Sequence, residues 1–263
     1  MRVRRKIIIA AIIAIAVLFV FGAIQGWNPM AGIKAKNDLK EKYGETFRVI
    51  EMKGVDLNGV RISGHQMVCA PARDDTLRFW VGTAGDGEVL VDKYVQVLLG
   101  KQIDERVEPY IKRIATDYAI NSFVMYFSYK DDEWEKYASL DNYISDPDIP
   151  KSVNTTFTDI VIDESSLTGL SFSDEYEAFK ELFEKDMPRD ITVFLYFTDD
   201  KRLKEAQTIF DKNESEKRDA SHLMEGGHSF IFEVESSKIL ISKEEYEELR
   251  ILHTDGTTPI TGF

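Results

Sequence analysis

Cysteine is nearly absent: Cys69 is the single thiol in 263 residues. One thiol cannot close an internal disulfide, so the fold depends on its core rather than on staples. Cys69 sits in the strand-like run Gln66, Met67, Val68, Cys69, Ala70, where a buried, inert thiol is expected. Positive charge is also scarce, with 33 Lys and Arg against 46 Asp and Glu and a formal net charge of −13. Four of those cations, Arg2, Arg4, Arg5 and Lys6, lie in the first six residues, and setting them aside leaves −17 on the remainder. A surface of that sign repels phosphate backbones and excludes nucleic acid as a partner. It also argues against the chain lying flat on anionic lipid. The plainest role of the charge is solubility.

Catalytic signatures are lacking as well. No HExxH pair, no D-x-D-x-D-G loop with a Glu at its twelfth place and no complete G-x-S-x-G elbow occurs. Gly82 to Gly87 is glycine-rich but lacks the lysine of a phosphate loop, and it reads as a hairpin turn. Residues 169–173 miss the final glycine of an elbow, and Ser171 or Ser173 suits a helix cap instead. After residue 24, long apolar runs are missing: 123–127 and 193–197 are strand-length and too short to span a bilayer.

One long apolar run is present. It opens on Ile7, closes on Ile24 and follows the basic cluster. About eighteen residues at roughly 1.5 Å rise make a helix of about 27 Å, close to the hydrocarbon thickness of a bilayer. The cluster predicts a cytoplasmic N-terminus and an outer location for everything after Trp27. The run exceeds a signal-peptide core, and neither Phe21-Gly22-Ala23 nor Ile24-Gln25-Gly26 offers a small-x-small cleavage site. The reading is a single-pass protein of the cell membrane, held in the lipid bilayer through Ile7 to Ile24. Trp27 is placed as an interfacial aromatic, and Pro29 as the stop of that helix.

The remainder carries 14 of the 16 Phe and all 11 Tyr, enough to fill real cores. Its fold class reads as α+β: a transmembrane helix, then an extracytoplasmic ectodomain of two small mixed units. The expected bounds are a basic end 1–6, anchor 7–25, linker 26–33, membrane-proximal unit 34–119, distal unit 120–252 and tail 253–263. In the proximal unit a helix over 34–43 ends at Gly44. Strands follow at 46–52, 60–62, 65–70, 77–81 and 88–91, the first turn marked by Asn58-Gly59. A long helix over 92–118 carries the stripe Val95, Leu99, Ile103, Val107, Ile111, Ile114 and Tyr118, expected to pack on the preceding sheet. The distal unit reads as strands at 122–129, 157–162, 190–197, 229–234 and 238–241, with helices at 174–185, 201–212 and 244–252. An acidic loop joins its first two strands. Residues 123–128 echo 193–198, as two core strands in similar surroundings would.

The best metal candidate is His222, Glu225 and His228. Two imidazoles and a carboxylate suit zinc, but a spacing of three and six drifts around a helix and Gly226-Gly227 would break it. A loop ahead of a hairpin is the simpler reading, so no metal or other cofactor is expected. Asp131, Glu133 and Asp199 are the carboxylates a cell-wall or peptide hydrolase would need to bring together. No catalytic residue is identified.

The basic start, the apolar run, Gly26-Trp27-Asn28-Pro29, the stretch 36–43 leading into Phe47-Arg48-Val49, Leu77-Arg78-Phe79-Trp80-Val81 and Asp92-Lys93-Tyr94 resemble one group of sequences. These are uncharacterised membrane-anchored proteins of Gram-positive bacteria, the YfjL-like kind. The likeness covers roughly the first 120 residues. It implies an anchored α+β ectodomain and assigns no catalytic residue. The expected role is binding or interaction with an envelope protein or cell-wall partner. Rival readings are the carboxylate hydrolase and a structural subunit of a membrane complex.

Overall fold

The computed structural model describes residues 28–57, 60–126, 138–145, 154–186, 191–212, 228–235, 238–239 and 241–254. The anchor run, Asn58-Gly59, Asp131, Glu133, the Asp146/Asp148 loop, His222, Glu225 and the tail after residue 254 lie outside them. Among the described residues no helix is long and apolar enough to cross a membrane. The fold is α+β, with two sheets and six helices among the described residues. Contacts divide the chain into two compact units, Met1–Tyr94 and Val95–Phe263.

In the first unit, α1 (Pro29–Tyr43) precedes an antiparallel meander of β1 (Phe47–Leu57), β2 (Val60–Pro71), β3 (Phe79–Ala84) and β4 (Val89–Asp92), in the order β1-β2-β3-β4. The linker expectation is corrected here: helix begins at Pro29, not at 34. Asn28 caps it, its side chain accepting from the Met30 and Ala31 N–H groups, and Pro29 takes a first-turn place where no N–H is needed. Pro29 thus starts α1, and the run it was read as ending lies outside the described residues. Gly44 closes α1 as expected, with φ 71° and its N–H donating to Lys40 O at 2.8 Å. β1 and β2 each run longer than the separate short strands expected, pairing from Phe47↔Pro71 to Leu57↔Val60 across the Asn-Gly position. Ala31, Ala35 and Leu39 are fully buried, as are Met67, Cys69 and Val81 of the sheet. The 82–87 stretch leads through the β3–β4 turn: the Ala84 N–H donates to Glu88 O at 2.8 Å. Gly87, at φ +95°, has no room for a side chain because its Cβ would meet the Ala31 backbone.

The second unit opens at Val95, the second residue of the long helix α2 (Tyr94–Ile114). Its stripe of Val95, Leu99, Ile103, Val107, Ile111 and Ile114 is 0–2 % exposed. Tyr118 is not its last turn; it begins β5 (Tyr118–Tyr126). The stripe was expected to pack on the strands before it, whereas the helix belongs to the unit that follows. Gly100 is the physical reason: a Cβ there would strike the Ser122 carbonyl, so the missing side chain lets the helix lie against β5. The five-stranded sheet has the order β5-β6-β7-β8-β9, with β6 (Asn154–Asp163), β7 (Ile191–Thr198), β8 (His228–Glu235) and β9 (Lys238–Ile239). The β6–β7 pairing is parallel, and the other described pairs of this sheet are antiparallel. The echoing segments thus flank β6 as neighbours in one sheet.

Helices accompany this sheet: α3 (Leu140–Ser145), α4 (Phe172–Glu181), α5 (Asp200–Lys212) and α6 (Lys243–Thr254). α5 packs Leu203 and Ala206 on Ala119, Val161 and Tyr196. Alternate residues of the same strands point the other way. There Ser122 is hydrogen-bonded to Thr158 at 2.8 Å, and Thr156 to Tyr143 of α3 at 3.2 Å. α4 runs on into a π-helical turn, Leu182–Asp186, which buries Leu182 and Phe183.

Candidate functional site

Three polar constellations stand out, and each is assembled from residues with a local job. In the first unit, Asp92 ends β4 with its side chain only 2 % exposed. It accepts from Lys42 Nζ at 3.0 Å, the Tyr43 hydroxyl at 2.7 Å and the Tyr94 N–H at 3.1 Å. Beside it, Glu45 accepts from the Tyr94 hydroxyl and pairs with Arg73 Nε at 3.0 Å. Arg73 Nη2 donates to the Tyr94 oxygen at 3.5 Å. The Arg73 side chain is nevertheless 68 % exposed, so two partners hold a guanidinium that faces solvent. The platform below is aromatic: Tyr94 meets Tyr43, Phe47 and Phe79 with ring centroids 4.8, 5.1 and 5.1 Å apart.

The electrostatics of this network favour holding over proton transfer. Burial, then the Glu45 hydrogen bond, pushes the Tyr94 phenol up to about 12. The neighbouring hydroxyl and carboxylate also raise Arg73 further above its already high value. Burial pushes the Cys69 thiol up to about 12, which fits the inert-thiol expectation. At neutral pH Tyr94 and Cys69 keep their protons.

The second constellation lies at the carboxyl ends of β6 and β7, the parallel pair where open α/β sheets place ligands. Asp163 is paired in register with Thr198. Its carboxylate accepts from the Ser165 N–H at 3.0 Å and Ser165 Oγ at 2.7 Å, capping the 3₁₀ turn Glu164–Ser166. Asp199 Oδ1 accepts from the Arg202 N–H at 2.9 Å and caps α5, while Asp200 pairs with Lys204 at 2.7 Å. Asp200, first, and then Asp117 and Asp163 raise the Lys204 ammonium above its usual value. The acids here serve turns and a helix end.

The third constellation is buried. Glu175 of α4 accepts from Arg250 Nε at 3.0 Å and from the Tyr246 hydroxyl at 2.9 Å. The Arg250 and Glu175 side chains are 1 % and 3 % exposed. The guanidinium carbon lies 3.6 Å from the Phe197 ring centroid and 4.9 Å from that of Phe172. With almost no solvent access, this pair fastens α6 to α4 and β7.

Of the carboxylate and metal candidates read from sequence, Asp199 and His228 fall within the described residues. Asp199 is spent on a cap; Asp131 and Glu133 lie outside the described residues. His222 and Glu225 do too, and His228 takes the first place of β8, in register with Phe197. Among the described residues no three His, Cys, Asp or Glu groups converge as metal ligands. Ser171 caps α4, with the Asp174 N–H donating to its Oγ at 3.2 Å. Sequence reasoning missed the Arg73 network and the Glu175–Arg250 pair. The signals are there in part: Asp92, Tyr94 and Glu45 stand at element ends, while Glu175 and Arg250 are a Glu and an Arg at inward-facing helix positions.

Comparison with known proteins adds the family. No curated protein sequence matches the chain. A crystal structure of a DUF5037 family protein from Ruminococcus gnavus ATCC 29149 is similar, with a TM-score of 0.68 and 21 % identity over 84 % of this chain and 98 % of that one. At that identity the likeness shows the fold. The profile of a family described as a domain of unknown function, DUF5037, matches residues 31–232, which spans most of the chain. The chain belongs to the DUF5037 family.

Proposed function

We propose that this is a single-pass membrane protein whose outer α+β portion acts by binding an envelope protein or cell-wall component. The anchor reading rests on Arg2, Arg4, Arg5 and Lys6 ahead of the apolar run 7–24. The resemblance of the first 120 residues to YfjL-like proteins supports the same topology. The binding reading is carried by the outward guanidinium of Arg73, held by Glu45 and Tyr94. A charged side chain already held in one orientation loses less entropy when a partner engages it.

Two measurements test the two halves. Carbonate washing should leave the full-length protein in the membrane pellet, and protease added outside the cell should remove a C-terminal tag. Full-length protein in the soluble fraction sinks the anchor. For binding, the immobilised outer portion should enrich an envelope component that Arg73→Ala recovers poorly. Enrichment of nothing, or equal recovery by Arg73→Ala, sinks the binding role of that network.

A further inference from the structure

We infer that Met30, Ile33 and Leu90 form a contact patch that dips into the head-group layer of the membrane holding the chain. The inference rests on the anchor reading above and adds to it a surface that the folded portion presents to lipid. Four large apolar side chains are exposed among the described residues, and three of them belong to the first unit: Met30 at 68 %, Leu90 at 62 % and Ile33 at 47 %.

Their position follows from α1. Met30 and Ile33 are three residues apart, so they share one helix face. Ala31, Ala35 and Leu39 form the face turned to the core and are fully buried. β4 and the turn before it lie alongside α1. Lys34 pairs with Asp86 at 2.5 Å, and the Val89 N–H donates to Asp38 at 3.2 Å. Gly87 packs directly on the Ala31 backbone. Leu90 is the next residue after Val89, on a strand at the sheet's edge.

The length of the connecting chain selects the occupant. Residues 25–28 separate the end of the apolar run from α1. Four extended residues reach at most about 14 Å, so the first turn of α1 cannot leave the neighbourhood of the bilayer surface. An apolar face near that surface gains by sinking about 5–10 Å into the boundary of head groups and acyl chains. Charge adds no local pull: the four lysines of α1 are met by Asp38 and Glu41 on the helix and by Asp86, Glu88 and Asp92 on the turn and strand beside it, so the apolar side chains and the short connection carry the contact.

The test uses the full chain in phosphatidylcholine/phosphatidylglycerol vesicles, with an environment-sensitive fluorophore on Met30→Cys, Ile33→Cys or Leu90→Cys. Cys69 is fully buried and stays unlabelled. Asp75→Cys is the control: its exposed turn lies past the far end of α1, where the Ala72 N–H donates to Thr46 O. The three patch positions should show blue-shifted emission and about twofold stronger quenching by spin-labelled lipid than the control. Equal quenching at patch and control, with the protein still in the vesicle fraction, overturns the patch and leaves the anchor standing. Protein lost to the supernatant overturns both. A blue shift that tracks protein density and ignores spin-labelled lipid assigns the face to a second copy and overturns the lipid contact.

Discussion

The two units solve the problem of buried charge in opposite ways. In the first, Asp92 is buried but its cation is not: the Lys42 side chain remains 27 % exposed. Water still solvates half of that pair, and two further donors, Tyr43 and Tyr94, satisfy the carboxylate. In the second, both Glu175 and Arg250 are withdrawn from water, and protein alone replaces their hydration. The difference teaches where each unit is vulnerable. Losing one member of a fully desolvated pair strands a bare charge, whereas losing a rim partner lets water return.

The comparison breaks most directly at Arg250. Arg250→Ala should cost about 3–5 kcal/mol of second-unit stability by stranding Glu175. Denaturant unfolding followed by far-UV circular dichroism measures it. The double change Glu175→Leu/Arg250→Met should restore most of that loss, since well-packed apolar residues replace such pairs at little cost. Asp92→Ala is the matching change in the first unit. It removes three hydrogen bonds to one carboxylate, and about 1–3 kcal/mol is expected. Cys69 reports on it: the buried thiol should resist labelling at pH 8 in the native protein and react as the first unit opens. Arg250→Ala that exposes Cys69 at the same denaturant concentration would merge the two units into one cooperative block. A smaller effect, about 1 kcal/mol, is expected for Ser171→Ala, which removes the α4 cap.

The smallest contrast is alkaline. Tyr94 in the first unit and Tyr118 in the second both hold their protons up to about 12, against an ordinary 10.0. Above pH 10 the unfolded chain ionises these phenols while the folded chain does not. Stability from each is therefore present below pH 10 and falls as pH climbs toward 12. Ultraviolet difference titrations at 295 nm, native protein minus Tyr94→Phe and minus Tyr118→Phe, isolate each phenol among the 11 tyrosines and should show both ionising late. A midpoint near 10.0 in the Tyr118 difference would contradict the burial and the Glu108 hydrogen bond assigned to Tyr118.

Much of the fold is legible in the sequence because it is local. The α2 stripe, the Gly44 stop, the β1–β2 hairpin and the Ser171 cap each depend on residues within a few places of one another. What stays hidden depends on distance. From sequence, α3 is indistinguishable from the acidic loop around it; Gln102 organises it by accepting from the Leu140 N–H at 2.8 Å and donating to Ala138 O at 2.9 Å. No pattern within 138–145 announces a partner on α2. Pro29 is ambiguous for a different reason: a proline both stops and starts helices, and Asn28 before it marks the start of α1. The candidate site is the least legible part. Arg73 and Glu45 are ordinary exposed-type residues until the β2–β3 and α1–β1 connections bring them to Tyr94.

The fastening of α6 by Arg250 carries a consequence for biogenesis. Synthesis runs from the amino end, and the first unit is complete in sequence by Tyr94. It can close while the rest is still emerging. Its neighbour cannot, because the cation that neutralises Glu175 arrives 75 residues later, on α6. Until that helix appears, α4 holds an acid facing a half-made interior. The nascent second half must therefore remain open, and within reach of proteases and helpers, until α6 has been made.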